Sequence, residues 1–181
     1  SLAIMTTLGT LESILISLFF GLAVACSTLL GHRLGAEEYE EAWPHSPLFL
    51  LLAPIGALLV GIAVWLLQSN LLQWVGNLPG ELMGEAGQVL AIMCLGMLLK
   101  VFNMVGIVGV LRSGGDVNYS IFIDIVGMWC IGLPLAWAAV SLLGWPLSWV
   151  VAVVLLEELS KVLLVQRRIR QRRWLRNLVL G

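Results

Sequence analysis

Long, almost unbroken apolar stretches constrain this chain more than any other feature of its sequence. They cover residues 1–34, 47–68, 85–112, 117–142 and 146–166. A helix rising 1.5 Å per residue needs ~20 residues to cross ~30 Å of hydrocarbon, and each stretch is about that long or longer. Spanning strands would appear as ~10-residue alternating segments, whereas these runs are continuous, so the spans are expected to be helical. The composition agrees. The chain is 60% hydrophobic and 12% charged, against roughly 45–50% and 25% in a soluble domain. That leaves too little polar surface to coat a water-soluble particle. The expected fold class is therefore all-α, a polytopic transmembrane helix bundle of five spans over residues 1–166, with a basic tail at 167–181.

The connections are short and turn-rich. Gly31-His32-Arg33-Leu34-Gly35 closes the first span, and Pro44 and Pro47 are expected to restart the chain. Gly76-Asn77-Leu78-Pro79-Gly80, Ser113-Gly114-Gly115-Asp116 and Gly144-Trp145-Pro146 separate the later spans. Trp74, Trp145, Trp149 and Trp174 fall near expected interfaces, as an aromatic belt requires. The acidic run Glu37, Glu38, Glu40, Glu41 reads as a solvated loop or helix start. Glycines inside the spans, among them Gly21, Gly56, Gly96, Gly127 and Gly132, are expected to let helices approach closely. Pro54 and Pro134 lie within spans, where each frees a carbonyl and favours a kink.

The basic residues set an orientation. Arg33, Arg112 and the six arginines of residues 167–176 flank the ends of spans one, three and five, while residues 69–84 and 143–145 contain no Lys or Arg. Alternate ends are basic, and basic ends face the cytoplasm. The expected location is the cell (inner or plasma) membrane, with the tail cytoplasmic and touching anionic lipid. A nucleic-acid partner is not expected. Cys26, Cys94 and Cys130 each lie in an apolar run without CxxC or neighbouring histidine, so they read as small hydrophobes rather than disulfide or metal ligands. No GxSxG or HExxH occurs, and an enzyme is not expected. The chain begins at Ser1 in sequence that already looks like helix interior, which reads as a missing amino-terminal part.

Ionisable side chains inside spans cost at least ~2.5–3.5 kcal/mol at the bilayer centre, so each needs a partner or a wet cavity. The candidates are Glu12, Lys100, Asp124, Glu157, Glu158 and Lys161, with Asn103 as a neutral companion. Lys100 and Asn103 are three apart on one helical face. Glu157 and Lys161 are four apart in the favourable acid-first order. Counting 1.5 Å per residue from the basic ends puts Lys100, Asn103, Asp124, Glu157, Glu158 and Lys161 in one layer, at about 9–18 Å depth. In that layer Lys100 is expected to meet Glu157 or Glu158, and Asp124 to meet Lys161. Glu12 stands apart, nearer the outer side. Two readings stay open: a structural ion-pair network, or a carboxylate that exchanges a proton during transport. Adjacent like charges and a low dielectric favour a proton on one of them, whereas two nearby lysines favour ionisation.

Four motifs in order go beyond composition. Gly31-His32-Arg33-Leu34-Gly35-Ala36 with Tyr39-Glu40-Glu41-Ala42 resembles the "G-x-x-L-G-A" turn and acidic "Y-E-x-A" helix start of the multidrug and toxic compound extrusion (MATE) family. Leu111-Arg112-Ser113-Gly114-Gly115-Asp116 resembles its "L-R-G-x-G-D" loop, and Trp129-Cys130-Ile131-Gly132-Leu133-Pro134-Leu135-Ala136 its "W-x-x-G-L-P-L-A" helix. Leu156-Glu157-Glu158-Leu159 before the basic tail completes the series. The resemblance implies an incomplete C-terminal lobe of a two-lobe MATE-like fold, helices eight to twelve of twelve. The missing N-terminal lobe of the same polypeptide would then be a partner. The position of the family's helix-ten aspartate reads Lys100-Val101-Phe102-Asn103 here, without an acid, and Asp116 is expected to serve a turn or cap.

The resemblance implies a secondary active transporter that exports small organic, mostly cationic compounds by Na⁺ or H⁺ antiport, with alternating access and no cofactor beyond the coupling ion. Alternatives are a lipid-linked saccharide flippase of the same superfamily, which needs a strongly cationic cavity, and a non-transporting membrane scaffold or remnant.

Overall fold

The computed structural model describes residues 2–76 and 80–175, with side chains described from residue 4 and not for residues 73–76 and 80. Asn77, Leu78 and Pro79 of the expected turn, the Trp74 side chain, and Arg176 lie outside the described residues.

The described residues fold as helices joined by short turns, and none of them is in a strand. Helix α1 is Leu2–Gly35 and α2 is Tyr39–Leu66. A short α3, Gln68–Gly76, leads by a 3₁₀ turn, Gly80–Leu82, into α4, Met83–Met104. Helix α4 continues without a break through a π-helical stretch, Val105–Leu111. The next crossing is α5, Val117–Ile125, a second π stretch, Val126–Gly132, and α6, Leu133–Ser141. Helix α7, Leu147–Arg170, ends the bundle.

Four helical segments are long and apolar enough to cross a membrane: Ile4–Gly35, Tyr39–Leu66, Met83–Leu111 and Val117–Ser141. With its 24 residues α7 is also long enough. It is less apolar than the others because it carries Glu157, Glu158 and Lys161. Two apolar clusters show that the helices alternate in direction. One joins Ile4 and Leu8 of α1, Val64 of α2, Ala86 of α4 and Leu147 of α7. The other joins Leu34, Ala42, Leu111 and Ile169 with Trp174 beyond α7. The arginine-bearing ends therefore share one end of the bundle, as their spacing predicts. Helix α4 is central and packs on α1, α2 and α7. Outward faces stay apolar: Leu18, Leu59, Trp137 and Trp149 are each more than half exposed. On a water-soluble particle such a surface would be a liability; against lipid tails it costs nothing.

Several local expectations change. Helix α2 starts at Tyr39 rather than at residue 47 and carries Pro44, Pro47 and Pro54 inside it. Pro47 cannot donate to the Trp43 carbonyl, and the Ser46 hydroxyl donates to that oxygen instead, at 3.0 Å. The loop expected over residues 69–84 contains α3. Pro134 lies in the first turn of α6, just after the π stretch Val126–Gly132, so the freed backbone is absorbed by a change of helical winding. Gly21 faces open space rather than a neighbouring helix, whereas Gly109 packs on Cys26 and on the Ala23 carbonyl of α1, where a Cβ would sit 3.1–3.2 Å away. Cys26 is buried as a small hydrophobe, while Cys130 is exposed on the bundle surface. Trp145 and Trp149 are exposed and paired at 6.1 Å between ring centroids.

Candidate functional site: a buried charge layer between α4 and α7

Glu157, Glu158 and Lys161 share one stretch of α7, and each side chain is 15% exposed or less. Lys161 Nζ lies 2.6 Å from Glu157 Oε1 and 3.9 Å from Glu158 Oε1. The four-residue spacing thus forms the ion pair that the sequence predicts. Consecutive residues on a helix point about 100° apart, so the two glutamates address different neighbours. Glu157 faces the π stretch before α6, where its carboxylate lies against Gly132. Glu158 faces α4. There Asn103 Nδ2 donates to the Glu158 carboxylate at 2.8 Å and to the Glu158 backbone carbonyl at 2.9 Å.

Glycine makes room for the pair. A Cβ at Gly132 would overlap the Glu157 carboxylate, and one at Gly127 would overlap the Lys161 stem. In an α-helix, residues five apart diverge by about 140°. The i→i+5 winding of a π turn instead stacks residues five apart on nearly one face. The π stretch therefore aims both glycines at α7. Nothing in a period-3.6 reading of the sequence signals this.

The charge of the layer is unbalanced. Two carboxylates face one ammonium, and Asn103 is neutral. Asn103 itself is 4% exposed, and its Oδ1 is buried with no hydrogen-bond partner. A buried acceptor left unpaired is uncommon and calls for a reason.

The other candidate residues pair differently from the expectation. Lys100 does not meet Glu157 or Glu158. Its Nζ binds Glu12 Oε1 at 2.6 Å, tying α4 to α1. Glu12 is therefore not separate: its side chain is 16% exposed and ion-paired. Lys100 and Asn103 are 60° apart on the helix wheel. On a helix with neighbours on several sides, that offset sends one to α1 and the other to α7. Asp124 does not meet Lys161 directly. It lies 3.7 Å from Arg112, with both side chains 43% exposed. Counting depth from helix ends missed the Lys100–Glu12 pair because α1 runs 34 residues and overshoots the layer that its arginine marks.

The basic end holds a second set of contacts. Asp116 stands at the start of α5 but does not cap it with its side chain. Its carboxylate takes a two-pronged contact from Arg168, at 2.5 and 2.9 Å. This hydrogen bond to Asp116 raises the Arg168 guanidinium above its ordinary range. The same guanidinium lies 4.3 Å from the Tyr119 ring centroid, and that of Arg172 lies 4.5 Å from the Trp43 ring centroid. Trp174, expected in an aromatic belt, is fully buried, with its backbone carbonyl pressed against Gly114. Arg33 pairs with Glu38, at 3.1 Å, and with Glu41, so part of the acidic run is engaged rather than merely solvated. Arg167, Arg170 and Arg173 remain exposed. Among the described residues no cluster of His, Cys, Asp and Glu is arranged to hold a metal ion.

Comparison with known proteins gives the architecture a place. An uncharacterized transporter, YisQ of Bacillus subtilis (strain 168), is 25% identical over 175 residues. The match covers 96% of this chain and 38% of that protein, so the chain spans well under half the length of this relative. No solved structure matches. The MatE family model matches residues 1–138, which include α1 to α5, both π stretches and the Gly127 and Gly132 contacts, and end ahead of α7. With the motifs read above in the same order along the same segments, the chain belongs to the MatE family of multi-pass membrane proteins.

Proposed function

We propose that the protein is a secondary active transporter that exports small organic, cationic compounds in exchange for Na⁺ or H⁺, and that one carboxylate of the Glu157/Glu158 pair couples the two fluxes. The observation that carries this reading is the unbalanced layer: two adjacent carboxylates, 12% and 15% exposed, served by a single ammonium. An uncompensated negative charge in such a place is costly, so it favours a cation or a proton. Binding one there shifts the balance between inward- and outward-open states, provided those states expose the site differently. The chain's likeness to a relative named as a transporter supports the same class.

The lobe described here would be the C-terminal one, with the basic end in the cytoplasm and exposed Arg167, Arg170 and Arg173 near anionic lipid. The flippase reading needs free cationic groups around a cavity. It is disfavoured because Lys100 and Lys161 are both held by carboxylates.

The test is gradient-driven efflux from proteoliposomes containing the full-length protein. Changing both Glu157 and Glu158 to Gln is expected to abolish transport driven by a Na⁺ or H⁺ gradient, with expression and insertion measured alongside because Lys161 loses both of its acceptors. Wild-type efflux from that double variant would reduce the pair to a structural role.

A further inference from the structure

The two glutamates of α7 are adjacent in sequence but not equivalent in surroundings. Glu157 has a full partner: Lys161 Nζ at 2.6 Å, with Gly132 closing over the carboxylate and Gly127 over the lysine stem. Protonating Glu157, or moving it, would strand a buried ammonium whose next acceptor is 3.9 Å away. Glu158 reaches the same ammonium only at 3.9 Å. Its closest contact is the neutral amide of Asn103, at 2.8 Å. The remaining ionisable groups around it are committed elsewhere. On α4, Lys100 is held by Glu12 of α1, and on α5, Asp124 sits beside Arg112. The surplus negative charge of the layer therefore belongs to Glu158.

Asn103 supplies the second observation. Its amide is anchored by two hydrogen bonds from Nδ2 to Glu158, which fixes which end is nitrogen, and leaves Oδ1 buried without a donor. An oxygen acceptor next to a carboxylate is half of a site for a positive charge. Turning the amide over would present Oδ1 as the acceptor for a carboxylic O–H on Glu158. The same turn would set carboxylate and amide oxygens together for a small hard cation, the donor types that such ions take.

We infer that Glu158 and Asn103 form a site for a single monovalent positive charge, H⁺ or Na⁺, while Glu157 stays ionised as the fixed counter-ion of Lys161. This assignment rests on the coupling role proposed for the glutamate pair and divides it. The site loads once per chain: a proton adds to the Glu158 carboxylate and leaves from it, or Na⁺ binds and leaves, with no covalent change elsewhere.

The experiment counts charges in the purified full-length protein. Radiolabelled sodium binding measures the Na⁺ arm, and infrared difference spectroscopy of protonated carboxyl groups measures the H⁺ arm. E158Q is expected to lower the count by one per chain, in one arm or the other. The neutralised pair E157Q/K161M is expected to keep the count of the wild type. N103L retains the charge but loses the amide, and is expected to change affinity at least tenfold without removing the carboxyl signal: weaker for Na⁺, which loses an oxygen ligand, and tighter for H⁺, because the ionised carboxylate loses its donor. This variant tests the site even if E158Q does not fold. An unchanged count in E158Q, a lost count in E157Q/K161M, or wild-type affinity in N103L would each overturn the assignment. The parent reading fails separately, when gradient-driven efflux survives in the E157Q/E158Q variant.

Discussion

The basic end of the bundle and the layer between α4 and α7 use the same chemical groups to opposite effect. At the end, Asp116 and Arg168 meet one to one, and the planar guanidinium grips both carboxylate oxygens. Tyr119 lies against that guanidinium, and Trp174 is buried nearby against Gly114. In the layer, two carboxylates share one lysine. A matched pair with its hydrogen bonds filled has nothing to gain from a visiting ion, and it fixes helix ends in place. A mismatched cluster in low dielectric gains by taking one up. The balance of charge, rather than its presence, separates a fastener from a responsive site.

The sharpest way to break this contrast is Lys161→Met. It leaves two carboxylates buried without a counter-ion, and the expected loss of stability is about 3–5 kcal/mol. Thermal unfolding in detergent reads it, and adding E157Q is expected to restore most of it. Asp116→Asn comes next. It removes the charge from the two-pronged contact with Arg168, at an expected cost of about 1.5–3 kcal/mol in the same assay. Because Asp116 raises the guanidinium above its ordinary range, the Arg168 contribution is fully present below that range and is lost only as pH rises through it. Titrating the wild type from neutral to moderately alkaline pH is therefore expected to leave the arginine side of this fastener intact. Gly114→Ala sets a Cβ against the Trp174 carbonyl. The expected overpacking cost is about 1–3 kcal/mol, with faster proteolysis after residue 170. Arg172→Gln should have the smallest effect, about 0.5–1 kcal/mol from the exposed stacking on Trp43.

The helical bundle, its alternation and its basic end were legible because they follow from run length and from the placement of arginine. The Glu157–Lys161 pair was legible for the same kind of reason, since both partners lie on one helix at a known spacing. The partners of Lys100, Asp124 and Asp116 were not. Each contact crosses between helices, and a sequence gives the direction of a side chain only relative to its own axis. Lys100 and Asn103 illustrate the limit: three residues apart, they share a face loosely enough that one reaches α1 and the other α7. The π stretches were hidden for another reason. Gly127 and Gly132 fall on one face only when the winding changes, and an i, i+5 pair of small residues followed by Pro134 is the one trace it leaves. Trp174 looked like a belt residue because aromatic residues near a span end usually are. Its burial depends on a glycine sixty residues earlier in the chain.

Competition between ions and cargo tests the account most directly. The full-length protein in detergent is titrated with tetraphenylphosphonium, a lipophilic organic cation, at rising H⁺ and Na⁺ concentrations. The account predicts that one of the two ions weakens binding of this probe in the wild type and loses that effect in E157Q/E158Q, because coupling between two ligands acts equally in both directions. An ion dependence that survives unchanged in the double variant would contradict it, and would place the exchanging charge outside the α4–α7 layer.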